Sequence, residues 1–402
     1  MDRAILHCDC NAYFASVESI DRPELRAVPM AVCGDPENRH GVILAKNELA
    51  KRFGIVTAET VYSALRKCPK LTLVPPHHDR YVDISARINA IYNDYTDRVE
   101  PFSIDESWLD VTGSEHLFGD GKTIADTLRR RVREEIGITI SVGVSYNKTY
   151  AKMGSDYKKP DATTVITREN REEILWPLPA RDLIFVGRSA AELLERKGVR
   201  TIGDLVRAGQ DELRALLGKA GEALWRSAAG LDDSPVRRYG DKEQPKSIGN
   251  GMTFPHDLRG LEEIRAGLLP LCDQVGTRLR RAGLLCSTVT VQIKDPQFKT
   301  ISRQRRLDAV TGSTREIYRV AVEIMRQSWT PLTKPIRLLT VTASGLTGTA
   351  QTQTSLFDLP GGRAREDEQL DRVMDALRGR FGRDALSFGS LVDAPSKKQG
   401  KK

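Results

Sequence analysis

Long hydrophobic runs are absent. No stretch of the 402 residues is long and apolar enough to span a bilayer, which excludes a helical membrane protein. No charged-then-apolar leader with a small-residue cleavage site opens the chain, so a soluble, cytoplasmic protein with no membrane partner is expected. Cysteine is scarce. Cys8, Cys10, Cys33, Cys68, Cys272 and Cys286 include no Cys-x-x-Cys pair, and no histidine pair follows at zinc-finger spacing. Structural zinc is not expected, and all six read as reduced thiols. A strong excess of one charge is lacking too: 62 lysines and arginines stand against 54 acidic residues, a formal +8. That balance is compatible with a polyanionic partner without demanding one. The length exceeds one core; at ~150 residues per domain it suggests two to four domains.

What is present is a pair of acidic stretches. Phe102-Ser103-Ile104-Asp105-Glu106-Ser107-Trp108-Leu109-Asp110-Val111 reads as a strand, with Phe102, Ile104 and Trp108 two or four apart. Strict alternation would send Asp105 and Glu106 to opposite faces. Both serve one site only if the backbone turns between them, as at the tip of a hairpin. Two carboxylates drawn together repel unless a cation sits between them, and a hard divalent ion with oxygen ligands fits that need. An ordinary acidic turn at a strand end reads as well from this decapeptide alone. A second strand, Ala4 to Phe14, buries its apolar start and carries Asp9 at its end. Asp9, Asp105 and Glu106 together could hold two metals, as an in-line phosphoryl transfer requires.

The segment Cys8-Asp9-Cys10-Asn11-Ala12-Tyr13-Phe14-Ala15-Ser16-Val17-Glu18, taken with Ser103-Ile104-Asp105-Glu106, resembles the two metal-binding motifs of Y-family (translesion) DNA polymerases, nearest to the DinB type. The resemblance runs from about residue 4 to the end, less the tail. It implies an α+β multidomain right hand: a palm of mixed sheet plus helices, fingers, a helical thumb and a C-terminal βαββαβ little-finger domain. The expected boundaries are palm and fingers over 1–172 (fingers roughly 20–78), thumb over 173–239, linker 240–245, little finger 246–346 and a flexible tail 347–402.

The implied activity is template-directed, low-fidelity DNA synthesis past damaged bases, with primer-template DNA and dNTPs as partners and two Mg²⁺ ions, or Mn²⁺ in their place, as cofactors. Asp9, Asp105 and Glu106 are the expected catalytic metal ligands, with the carbonyl of Cys10 as a further one. Phe14 is the expected steric gate against a ribose 2′-OH, and Tyr13 lies near the triphosphate. Lys51 and Lys159 offset triphosphate charge; Lys46 has less weight, and Lys152 and Lys158 are expected to face solvent or DNA. The chain departs from most DinB-type enzymes, which have Tyr and Arg where Glu48 and Lys51 stand here. An acidic residue beside a triphosphate is unfavourable unless it faces away, and Lys for Arg loses the bidentate fork.

Along the rest of the chain the patterns are coarser. Helical spacing predicts helices over Ala12–Ile20, Val61–Pro69, Arg80–Tyr95 and Lys122–Ile136, with strands at Met30–Gly34, Leu71–Pro76 and Ile138–Val144. The alternation over residues 1–165 predicts a mixed sheet backed by helices. Residues 174–236 read as short helices split by glycines. Phe185-Val186-Gly187 resembles the Gly-Val-Gly of a helix-hairpin-helix that grips a DNA phosphate, and only Gly187 survives of its glycines. A plain helical thumb is the alternative. Residues 246–346 read as strand, helix, two strands, helix, strand. Lys294, Lys299, Arg303, Arg305 and Arg306 crowd two of those strands and are the expected DNA backbone contacts, or in part mere solubilising charges. Gln353-Thr354-Ser355-Leu356-Phe357 resembles a sliding-clamp-binding peptide, anchored by Gln353, Leu356 and Phe357. Leu370 to Phe381 has the spacing of a final amphipathic helix, and the lysine-rich end should be disordered. A monomer is expected. Two other readings stay open: a two-metal nuclease, which would have no use for Phe14 or Lys159, and a catalytically weak, clamp-tethered DNA-binding protein, which Glu48 favours and the intact carboxylate trio disfavours.

Overall fold

The computed structural model describes residues 2–35, 41–241, 244–348, 362–382 and 385–389. The chain divides into two units, Met1–Lys242 and Glu243–Lys402. In chain order the strands are β1 (Ile5–Cys10), β2 (Met30–Cys33), β3 (Ile43–Lys46), β4 (Thr72–Val74), β5 (Val99–Pro101), β6 (Glu106–Asp110), β7 (Ile140–Ser145), β8 (Thr163–Val165), β9 (Ser247–Leu258), β10 (Leu284–Lys294), β11 (Thr300–Thr311) and β12 (Ile336–Gly348).

The first unit is built on a sheet of order β5-β6-β1-β7-β8, antiparallel except for the β7–β8 pair. β1 sits at its centre with all six residues buried, so it has a chemistry on each face. Leu6, Cys8 and Cys10 point to one side, where they join Ile88 and Tyr92 of helix His78–Asn93 and Leu128 of helix Gly121–Arg131 in the largest core of this unit. His7 and Asp9 point to the other side. Helix Lys148–Tyr157 covers that side. Gly143 of β7 lets it lie close: a Cβ there would stand 1.9 Å from the carbonyl oxygen of Ala151 and 2.5 Å from the nitrogen of Ser155. All six cysteines are buried and unpaired.

The acidic decapeptide is a strand only from Glu106. Phe102 to Asp105 form the turn of the β5–β6 hairpin, closed by the amides of Phe102 and Ser103 on the carbonyl of Glu106. The period-two spacing of Phe102 has a different cause: its ring, half exposed, folds back onto Trp108 at 4.7 Å between centroids. The turn between the two carboxylates is the one their joint use requires.

A three-stranded sheet of order β3-β2-β4 lies within the same unit, with Asn47 capping helix Glu48–Arg52 by accepting from the Ala50 amide at 2.9 Å. After β8 come short helices, among them Arg188–Arg196, Ile202–Ala208, Gln210–Leu217 and Lys219–Ala228, gathered on Leu194, Ile202, Leu205 and Leu213.

The second unit follows the expected βαββαβ order. An antiparallel sheet, β11-β10-β12-β9, carries helices Gly260–Arg281 and Thr314–Ser328 on one face, where Val289, Val291, Ile293, Leu339 and Val341 are buried. The opposite face is polar: Thr288, Thr290 and Gln292 of β10 pair with Ser344, Thr342 and Thr340 of β12. The final helix runs over Gly362–Phe381, but its apolar stripe does not dock it. Leu370, Val373, Leu377 and Phe381 are exposed, while Arg280 grips Asp371 and Asp375, and Asp273 holds Arg378. The contacts that anchor it are ionic. The pentapeptide Gln353–Phe357 lies outside the described residues.

Candidate active site

Asp9 and Glu106 are direct register partners across β1 and β6, so their side chains share a face. Asp105, in the turn, is tied to the same place by its carbonyl, which accepts the Cys10 amide at 3.0 Å. All three line one open cleft of about 310 Å³, together with Cys10, Ala12, Tyr13, Lys46, Thr57, Lys152, Asp156 and Lys159.

The carboxylates are held by ammonium groups. Lys152 donates to Asp9 at 2.9 Å and to Glu106 at 3.0 Å, and lies 3.2 Å from Asp156. Lys159 reaches Asp9 at 2.6 Å and Asp156 at 2.8 Å. Burial opposes the charge on both lysines, but Asp9 and Asp156, with Glu106 for Lys152, outweigh it and raise their pKa values. Asp105 has no cationic partner of this kind; it accepts from the Ser103 hydroxyl at 2.6 Å. Burial, reinforced by the charges of Asp9 and Glu106, raises its carboxyl above the usual range. Among the described residues no three His, Cys, Asp or Glu side chains are drawn around a common point as a metal cage would be, since the lysines stand between them. The donor set itself is the hard-oxygen type that Mg²⁺ and Mn²⁺ take.

Beneath the cleft lies His7. Its Nδ1 is 2.9 Å from the Ser155 hydroxyl, which itself donates to the carbonyl of Lys152. Its Nε2 is 3.5 Å from Glu106 and makes no hydrogen bond. Burial, and then the Lys152 charge, push His7 down to about 3, so it is neutral.

A sharp turn carries the chain from β1 into helix Tyr13–Glu18. Ala12 makes it in the left-handed conformation, φ 47° and ψ 46°, which costs a non-glycine residue about 1–2 kcal/mol. Tyr13 is buried, and its hydroxyl donates to the carbonyl of Tyr81 at 2.6 Å. Phe14 stacks on Tyr81 with centroids 4.1 Å apart and planes at 13°. The Tyr81 hydroxyl is fixed in turn by buried Glu18, at 2.6 Å.

The lysines fall differently from their expected places. Lys152 does not face solvent; its side chain is 13% exposed and central to the cleft, because Gly143 lets its helix settle on the sheet. Lys46, at the end of β3, lines the cleft and donates to Thr57 at 3.0 Å. Burial, with the neighbouring Lys51 charge, lowers its pKa. Lys51 is 61% exposed, pairs with Glu48 at 3.7 Å and does not line the cleft; nor does Glu48. Lys46, Lys152 and Asp156 were thus under-read. The Lys152–Asp156 spacing of four on a helix and the glycine in β7 were the signals available.

Elsewhere, Phe185 takes φ 71° at the position where the helix-hairpin-helix resemblance expects the first glycine, and its ring is 80% exposed; Gly187 then precedes helix Arg188–Arg196. The cations of the second unit do not share one face. Arg306 opposes Thr288 and Lys294 opposes Thr300, which puts both on the polar face. Arg303 and Arg305 oppose Val291 and Val289 on the helix side, at the edge strand, where Arg305 pairs with Glu323 of helix Thr314–Ser328. Lys299 sits in the β10–β11 turn.

Residues 8–156 match the impB/mucB/samB family and residues 245–356 its C-terminal domain. The chain is similar to DNA polymerase IV of Acetivibrio thermocellus, 46% identical over 395 residues and 98% of each chain. It is 40% identical to DNA polymerase IV of Moorella thermoacetica over 95% of this chain and 94% of that one. DNA polymerase IV 2 of Bacillus subtilis is 37% identical over 98% and 95%. A solved chimeric Y-family DNA polymerase, built from Dbh and Dpo4, shares the fold at a TM-score of 0.76 and 24% identity, covering 86% of this chain and 99% of that one.

Proposed function

This chain belongs to the impB/mucB/samB family of Y-family DNA polymerases and is a DNA-directed, translesion polymerase of the polymerase IV kind, and on that premise we propose how its residues divide the work. Asp9, Asp105, Glu106 and the carbonyl of Cys10 would hold two Mg²⁺ ions, or Mn²⁺ in their place. When bound, these ions supply the charge that makes the primer 3′-oxygen a nucleophile and offsets the leaving pyrophosphate. The observation that carries this reading is the convergence of Asp9 from β1, Glu106 from β6 and Asp105 from the turn before β6 on one cleft.

The protein's own groups do the positioning. Phe14, braced by Tyr81, excludes a 2′-OH by occupying its space, and Tyr13 lies along the triphosphate. Lys159 neutralises triphosphate charge when it leaves Asp9. Lys46, in the cleft, is better placed for that task than Lys51, which can act only from the exposed helix. With Glu48 outside the cleft, the sequence feature that favoured a non-catalytic protein no longer bears on the site.

We assign palm and fingers to 1–172, the thumb to 173–239 and the little finger to 246–346. The turn at Phe185–Gly187 grips a DNA phosphate, and Lys294 and Arg306, with the hydroxyls around them, lie on the DNA backbone from the polar face of the sheet. Arg303, Arg305 and Lys299 contribute from its edge. Gln353, Leu356 and Phe357 tether the chain to the sliding (beta) clamp. The protein acts as a monomer in the cytoplasm; no helix of the described residues is long and apolar enough to cross a membrane.

The test is primer extension by the purified chain with dNTPs and Mg²⁺, on an intact template and on one carrying an abasic site. Extension on both that Asp105→Ala abolishes is the expected result. Undiminished synthesis by Asp105→Ala would overturn the assignment.

A further inference from the structure

We propose that Lys152 is a built-in cation that occupies the metals' place between Asp9 and Glu106, and that metal binding is an exchange in which its ammonium group moves onto Asp156. The inference rests on the reading of the carboxylates as the metal site.

Three observations carry it. First, one ammonium group bonds the two carboxylates that face each other across β1 and β6, at 2.9 and 3.0 Å. Unshielded, that directly opposed pair would repel. Second, the oxygens that Lys152 holds are ones a metal would need: Asp9 Oδ2, already shared with Lys159, and Glu106 Oε1. A divalent ion on those oxygens and an ammonium within 3 Å of them would repel strongly in so buried a place. Third, the displaced group has somewhere to go without leaving its helix. Asp156 is one turn along, already paired with Lys152 at 3.2 Å and half exposed, so a small rotation of the Lys152 side chain releases Asp9 and Glu106 and keeps the partner at the rim. Lys159 does not substitute in this role, since it touches Asp9 and not Glu106.

Lys152 is therefore a positioning residue. It holds Asp9 and Glu106 in their paired geometry when no metal is present, and it sets the concentration at which metal enters. No bond is made or broken in the exchange.

The test is Mn²⁺ binding by the full chain without DNA or nucleotide, followed by the paramagnetic signal of the free ion. Lys152→Gln, or Lys152→Met, should bind Mn²⁺ about tenfold more tightly than wild type, the lower end of what one neighbouring charge does to a buried site. Lys152→Arg, which keeps the charge, should bind no more tightly than wild type. Asp156→Asn should weaken binding in the wild-type background and have little effect beside Lys152→Gln, because its role is to receive Lys152. A readout on the unaltered protein covers the case of variants that do not fold: amine-reactive labelling of Lys152, read by mass spectrometry, should rise as Mn²⁺ is added. Unchanged or weaker Mn²⁺ binding by the neutral variants, or labelling indifferent to Mn²⁺, overturns the exchange. Failure of the underlying metal reading has another signature: Mn²⁺ binding by wild type that Asp105→Asn leaves untouched.

Discussion

Asp9 and Glu106 stand directly opposite each other on adjacent antiparallel strands, with the ammonium group of Lys152 bonded to both. An opposed acidic pair weakens a sheet unless its charge is compensated. Compensation here is local, a single ammonium group bonded to both carboxylates.

Loss of a carboxylate should be felt in chemistry far more than in folding. Asp105→Ala removes the one member of the trio without a lysine partner. Primer extension with Mg²⁺ should fall by at least about 10³-fold, the rate equivalent of a few kcal/mol of lost charge stabilisation. Thermal unfolding should change little, or shift upward, since a partly buried carboxylate with a raised pKa has been removed.

Sugar selection should depend on Phe14. The ring is stacked on Tyr81, whose hydroxyl Glu18 holds. Phe14→Ala should raise the efficiency of ribonucleotide insertion relative to deoxyribonucleotide by about 10²-fold, within the range a shape-based pocket achieves. Single-turnover insertion of matched rNTP and dNTP measures it, and an unchanged ratio removes Phe14 from the role.

The pH dependence of stability has a fixed sign at His7. Its folded pKa, about 3, lies below the unfolded value of 6.5. The unfolded state therefore binds the proton preferentially between those values. The stabilising contribution of neutral His7 is complete above pH 6.5 and is lost as pH falls, at up to about 1.4 kcal/mol per pH unit. His7→Gln should flatten the acid limb of urea unfolding by up to one proton between pH 6 and 4, read from Trp108, Trp176 and Trp225 fluorescence. Parallel limbs in wild type and variant would show that His7 is not the group responsible.

Gly143 should tolerate no side chain. A Cβ there meets the Ala151 carbonyl at 1.9 Å. Gly143→Ala must lift helix Lys148–Tyr157 from the sheet and carry Lys152, Ser155 and Asp156 with it. The expected cost is about 3 kcal/mol, at the upper end for overpacking, together with loss of extension activity. Unfolding of the second unit, followed at Trp329, should be unaffected.

DNA affinity should sort the basic residues by face. Lys294→Ala and Arg306→Ala, on the polar side of the sheet, should each reduce the slope of log Kd against log salt by about 0.9. Arg305→Ala should change it less, because its guanidinium is engaged with Glu323. Equal slopes for all three would mean that the face assignment has no bearing on binding.

Much of this was legible because it is local. Asp9 at the end of an apolar strand, and two adjacent carboxylates that need a turn between them, are readable within about ten residues. The βαββαβ order of the second unit is implied by the family resemblance and agrees with the period and turn signals over 246–346. What escaped depends on contacts distant in sequence. Lys152 looked like a solvent-facing lysine because its spacing from Asp156 and the glycine in β7 do not by themselves say which face of its helix meets Asp9. Lys51 carried more weight than Lys46 because it stands where the resemblance places an arginine, while in the fold it is exposed and it is Lys46 that lines the cleft. The basic residues of β10 and β11 could be divided into two faces only once their register with Val289 and Val291 was known.

The left-handed Ala12 joins strand to helix with no residue to spare. Asp9 and Phe14 are consequently locked together over a span of five positions, so in the roles proposed for them the check on the sugar and the grip on the reacting phosphate would share one ruler. Whatever blurs the first misaligns the second: a nucleotide admitted through a slackened gate would also be badly seated for joining, and carelessness about the sugar would carry its own penalty in speed.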